Sequence, residues 1–133
     1  MSKLNYGRGY VYSLKYHIVW CTKYRKSVLI NQIEEKVKAL IQKIADDHSV
    51  QILIMETEQD HIHMLIECKP QHYLPNLIKA FKGTSARFLF LEHPELKTEL
   101  WGGHLWNPSY FVATVSEHSE TQIKEYIRSQ KIK

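Results

Sequence analysis

Asp60-His61-Ile62-His63-Met64-Leu65-Ile66 is the stretch richest in chemistry. In a strand, residues two apart share a face. His61 and His63 then present two imidazoles side by side, while Ile62, Met64 and Ile66 turn to the other side. Two neighbouring neutral imidazoles can chelate one divalent cation, and Asp60 could orient one ring from behind. Taken alone, such a pair more often just decorates an exposed strand. A structural zinc site would favour a thiolate. The nearest, Cys68, has the opposite parity and should face the core, so a thiolate-free site with open positions fits catalysis better.

A second group lies near the C-terminus. Ser119 with Gln122 forms a capping-box pattern that predicts a final helix over 119–132. Tyr126 and Gln130 are spaced to share one face of it, with Ile123 and Ile127 as an apolar docking edge. Beside the histidines, this helix would bring a phenol nucleophile and an amide oxygen that could serve as a third metal ligand. Without them, Tyr126 packs and Gln130 is solvated. A third group is basic. Lys23, Arg25 and Lys26 cluster around Tyr24, and Lys79, Lys82 and Arg87 lie along a predicted helix, where Gly83 could let a phosphate backbone come close. These are candidate DNA contacts setting affinity and register; a solvated loop and helix face account for them about as well.

The elements that must position these groups follow from periodicity. Residues 1–9 read as an irregular arm. Tyr10–Cys21 alternates as a first strand, Thr22–Ser27 is a basic loop, and Leu29–Asp47 has helical spacing. Val50–Thr57 and Ile62–Cys68 form a hairpin. A second helix starts near Pro75 and ends by Pro94. Residues 95–108 read as a loop with local aromatic packing at Trp101 and Trp106, and Ser109–Val115 as a fourth strand, three residues before the final helix. The order predicts an α+β fold, a ferredoxin-like split βαβ antiparallel sheet with helices on one face, plus a C-terminal helix carrying the tyrosine. The 133 residues suit one domain, 1–133. A net charge of +4 weakly favours an anionic partner. Cys21 and Cys68 sit in apolar runs and should be reduced, buried thiols. With no signal peptide or membrane-length apolar run visible, a soluble, cytoplasmic protein is expected.

Val19-Trp20-Cys21-Thr22-Lys23-Tyr24-Arg25, Asp60-His61-Ile62-His63, Lys82-Gly83-Thr84-Ser85-Ala86-Arg87, Leu105-Trp106-Asn107-Pro108-Ser109-Tyr110-Phe111, and Tyr126 with Gln130 follow one another in the chain. Together they resemble the single-tyrosine HUH transposases (TnpA-type) of the smallest bacterial and archaeal insertion sequences, which move as single-stranded DNA. The resemblance covers nearly the whole chain. It departs at Asn107, where serine is more usual, and that position does not touch the proposed chemistry.

The resemblance implies that His61, His63 and Gln130 bind Mg²⁺ or Mn²⁺ and that Tyr126 is the nucleophile, forming a 5′-phosphotyrosine without ATP. It implies a homodimer that binds hairpins at the element ends, is nucleoid-associated when on DNA, and can place each tyrosine at the histidines of the other chain. Different readings are a non-catalytic single-stranded nucleic-acid-binding module, a replication-initiator or relaxase-like nickase, and a domesticated HUH nickase. A pure binder has no need of the histidine pair, and the chain has no room for the extra domains of an initiator.

Overall fold

The computed structural model describes residues 4–115 and 127–129. In chain order the elements are β1 (Asn5–Gly7), β2 (Tyr10–Tyr12), β3 (Leu14–Cys21), α1 (Asn31–Asp47), β4 (Gln51–Glu58), β5 (His61–Cys68), α2 (Leu74–Glu92) and β6 (Phe111–Thr114). The main sheet has the order β4-β5-β3-β6, and each neighbouring pair is antiparallel.

β5 sits inside that sheet, and its alternation follows the sequence. Ile62, Met64 and Ile66 are fully buried, while His61, His63, Leu65 and Glu67 are only partly covered. The buried parity joins Ile18 and Trp20 of β3 in one cluster with Val37, Ile41 and Ile44 of α1 and Leu77, Ile78, Phe81 and Leu89 of α2. Both helices therefore cover the face opposite the histidines. Each buried aliphatic or aromatic side chain is worth roughly 1.5–3 kcal/mol, so this shared core holds the two strands that position the histidines.

Three expectations change. Residues 5–12 form a hairpin of their own, β1 with β2, rather than an arm and the start of a long strand. Gly9 turns it at a φ of 81°, a backbone region open to glycine, and the Tyr10 ring lies where a Cβ on Gly7 would be. Asn5 Nδ2 donates to Glu67 Oε2 at 2.6 Å, tying the hairpin to β5. The first helix begins at Asn31, because Val28 and Leu29 reach the core as non-helical chain and the Leu29 amide donates to the Gln59 carbonyl at 2.9 Å. The segment after α2 contains short 3-10 turns at Pro94–Thr98 and Trp101–Gly103, and Leu96, Leu100, Leu105 and Trp106 join the main core instead of packing locally.

Trp106 meets Trp20 edge to face at 5.8 Å and donates its indole N–H to Ser85 Oγ at 3.0 Å. Cys21 and Cys68 are free and buried. Cys68 lies in the helix-covered core, whereas Cys21 pairs with His61 and shares its side of the sheet. Among the described residues, no helix is long and apolar enough to cross a membrane.

Candidate active site

The strand register sets what surrounds the histidines. His61 lies opposite Cys21 on β3 and Glu58 on β4, and His63 lies opposite Val19 and Glu56. Directly opposed residues share a face, so Glu56 and Glu58 join the imidazole side. The sequence reading did not single them out, since it did not settle which residues stand opposite. His17 is a further addition. Its Nδ1 lies 3.2 Å from His63 Nε2, with ring centroids 5.4 Å apart. His17 was not among the candidate residues; the pairing of β3 with β5 brings it diagonally onto His63.

His61 is held from behind. Its Nδ1 lies 2.9 Å from Asp60 Oδ1. In the neutral ring that contact carries the proton on Nδ1 and leaves the Nε2 lone pair for a metal. The other oxygen of the same carboxylate, Oδ2, accepts from Arg25 Nε at 2.7 Å and lies 2.6 Å from Nη2. Arg25 Nη1 donates to the Ile127 carbonyl at 3.1 Å. The side chains of Arg25, Asp60 and His61 are 18%, 17% and 15% exposed, so the chain of contacts is largely shielded from solvent.

The loop carrying Arg25 is strained. Tyr24 and Arg25 have φ values of 56° and 52°, a region that costs non-glycine residues about 1–3 kcal/mol each. Surrounding hydrogen bonds hold it there. Thr22, fully buried, donates through its amide to the Asp60 carbonyl at 2.9 Å and through Oγ1 to the Lys26 carbonyl at 2.8 Å. The Lys23 amide donates to the Leu105 carbonyl at 2.8 Å, and the Asn107 amide to the Cys21 carbonyl at 2.9 Å.

The expected basic contacts divide. Lys26, Lys79 and Arg87 are exposed. Lys23 Nζ lies 5.0 Å from the centroid of the exposed Tyr24 ring, and Arg87 is 4.8 Å from that of Phe88. Arg25 turns inwards to Asp60. Lys82 also turns inwards, donating to the carbonyls of Asn107 at 2.6 Å and Ser109 at 3.1 Å. Desolvation lowers its pKa to about 8, against a weaker pull upwards from Cys21. Helical periodicity shows which residues share a face, but it does not show that the 107–109 segment folds back over one of them. Tyr126 and Gln130 lie outside the described residues. Between them in sequence, Ile127–Ser129 is helical.

Among the described residues, no three His, Cys, Asp or Glu side chains cluster so as to hold a metal ion. The donor set at His61 and His63 still suits a divalent ion, because one ring already has its second nitrogen engaged by a carboxylate. Completing such a site takes a further donor.

The model of the family "Transposase IS200 like" matches residues 10–130, and the chain belongs to that family of single-tyrosine, TnpA-type transposases. The ISDra2 transposase TnpA of Deinococcus radiodurans is 48% identical over 124 residues, covering 93% of this chain and 89% of that protein. The transposase for insertion sequence element IS200 of Salmonella typhimurium is 31% identical over 119 residues, covering 90% and 78%. A crystal structure from Deinococcus radiodurans, provisionally named a transposase, superposes with a TM-score of 0.90 at 45% identity, covering 97% of this chain and 99% of that one. A REP-associated tyrosine transposase bound to a REP hairpin shares the fold at a TM-score of 0.58 and 12% identity, covering 92% of this chain and 67% of that one.

Proposed function

We propose that this transposase cleaves and rejoins single-stranded DNA at insertion-sequence ends through a 5′-phosphotyrosine on Tyr126. The Tyr126 oxygen attacks the scissile phosphorus, a Tyr–O–P bond forms, and the bond to the 3′-oxygen breaks. One phosphodiester replaces another, so the step needs no ATP and can be reversed by a 3′-hydroxyl from a second DNA segment. The phenol, with an ordinary pKa of about 10, gives up its proton during attack, and the departing 3′-oxygen gains one.

His61, His63 and Gln130 would hold a Mg²⁺ or Mn²⁺ ion, which when bound supplies Lewis-acid polarisation of the phosphate. Asp60 keeps His61 in the tautomer that such a site requires. We read the strand order as the ferredoxin-like, split βαβ arrangement, with the Tyr126 helix added after β6. The protein works as a homodimer on hairpins at the element ends, with the exposed Lys26, Lys79 and Arg87 near phosphates.

The observation that supports this reading is the run of contacts His61–Asp60–Arg25–Ile127, which starts at the histidine pair and ends one residue from Tyr126 in sequence. The test is incubation with labelled single-stranded DNA from the flanks of the gene. Wild type should yield a covalent protein–DNA adduct. Tyr126→Phe should lose the adduct and keep hairpin binding, and His61→Ala, His63→Ala or excess EDTA should abolish cleavage. An adduct with Tyr126→Phe, or undiminished cleavage in EDTA, would overturn the assignment. Hairpin binding with no adduct from wild type would leave a non-catalytic binding module.

A further inference from the structure

We propose that Arg25 is a positioning residue that braces the histidine pair against the tyrosine-bearing helix, rather than a contact to DNA phosphate; this rests on the function proposed above. A basic cluster following a strand suggests phosphate binding, and the neighbouring Lys26 is exposed. Arg25 behaves differently. Three of its nitrogens are engaged within the protein, two on Asp60 Oδ2 and one on the Ile127 carbonyl. The Asp60 carboxylate is thereby shared, Oδ2 to Arg25 and Oδ1 to His61. A shift of the guanidinium would be felt at both ends of the run.

The backbone supports the same role. The consecutive left-handed conformations of Tyr24 and Arg25 bend the loop back so that the guanidinium meets Asp60, and the buried Thr22 locks that bend to the Asp60 carbonyl. Strain of this kind persists only where surrounding contacts over-determine it. The partner groups lie in different directions, a carboxylate on the β4–β5 turn and a backbone carbonyl on the final helix. A planar guanidinium serves both from separate nitrogens held in a fixed fork, a geometry that the single nitrogen of an ammonium does not reproduce.

The test compares wild type with Arg25→Gln and Arg25→Lys, the latter keeping the charge and serving if the glutamine variant does not fold. The readout independent of activity is amide hydrogen exchange, followed by mass spectrometry without DNA or metal. A peptide containing Ile127–Ser129 should exchange about tenfold faster in either variant, because that helical segment has lost an anchor. With Mn²⁺ and saturating hairpin DNA, the cleavage rate should fall about 100-fold, the usual consequence of misplacing a reacting group by about 1 Å. The hairpin Kd and its salt slope should stay unchanged. A salt slope reduced by about one unit in Arg25→Gln but restored in Arg25→Lys, with wild-type exchange, would make Arg25 a phosphate contact and overturn the proposal. Unchanged exchange together with unchanged cleavage would also overturn it. Failure of wild type to cleave would instead sink the proposed function, and the exchange comparison would still decide whether Arg25 holds the helix.

Discussion

Among the described residues, burial displaces the proton affinity of Cys21, Cys68 and Lys82, and the direction of each shift depends on the charge being desolvated. The thiols of Cys21 and Cys68, ordinarily near 9.0, are pushed up to about 11, since each would have to bear its negative charge in the protein interior. Lys82 moves down to about 8 because its charge is the protonated form. Between about pH 9 and 11 the folded chain holds the two thiol protons that the unfolded chain has released, so stability falls as pH rises through that window. For Lys82 the unfolded chain holds the extra proton between about 8 and 10.5, so stability rises there and offsets part of the loss. Thermal unfolding at several alkaline pH values should show Cys21→Ala/Cys68→Ala escaping a loss on the order of 1 kcal/mol per pH unit per thiol. Equal alkaline slopes for wild type and variant would refute this. The raised values also predict slow alkylation of the native protein near neutrality, with rapid reaction in urea.

At the scale of elements, α2 presents two different faces. Its buried side, with Leu77, Ile78, Phe81 and Leu89, belongs to the core, while Lys79, Gly83 and Arg87 lie four residues apart on exposed turns. A Cβ added at Gly83 would meet nothing within 4 Å. A mid-helix glycine costs about 1 kcal/mol relative to alanine, so Gly83→Ala should stabilise the protein by about that amount in urea unfolding. If a phosphate backbone approaches this face, the same substitution should weaken hairpin binding, and Lys79→Gln or Arg87→Gln should each lower the salt slope by about one unit. A variant that is more stable and binds normally, with unchanged slopes in the other two, would move the DNA face to the exposed Tyr24 and Lys26. Lys82 should not behave like Lys79, because its ammonium already closes the 107–109 segment onto α2.

For the whole molecule, the prediction concerns which chain's tyrosine serves which histidines. The Arg25–Ile127 bond closes here within one chain. In a two-fold dimer, Ile127 of the partner subunit could take the same place with the same contact, since symmetry makes the two exchanges equivalent. We propose cutting in trans, tested by mixing Tyr126→Phe subunits with subunits carrying His61→Ala and His63→Ala. Each homodimer should be inactive. A mixed dimer then holds one site with intact histidines from the first chain and an intact tyrosine from the second, so cleavage should return at up to one site per mixed dimer. A mixture that stays inactive after confirmed subunit exchange would place each tyrosine on its own chain.

Several features needed only the sequence. His61 and His63 share a face, and Ile62, Met64 and Ile66 oppose them, because side-chain alternation in a strand depends on no distant residue. The strand–helix–strand–strand–helix–strand order and the buried, free thiols were legible for the same local reason. The tertiary structure decided the rest. Arg25 and Asp60 are 35 positions apart, and His17 and His63 are 46 apart, so neither pairing has a local period to reveal it. Leu29 continued the apolar spacing of α1 but reaches the core outside the helix, with its amide bonded to the Gln59 carbonyl of a distant turn. A basic residue looks alike in sequence whether it faces solvent or an acceptor within the protein; only the return of another segment, Asp60 for Arg25 and Asn107 for Lys82, determines which it does.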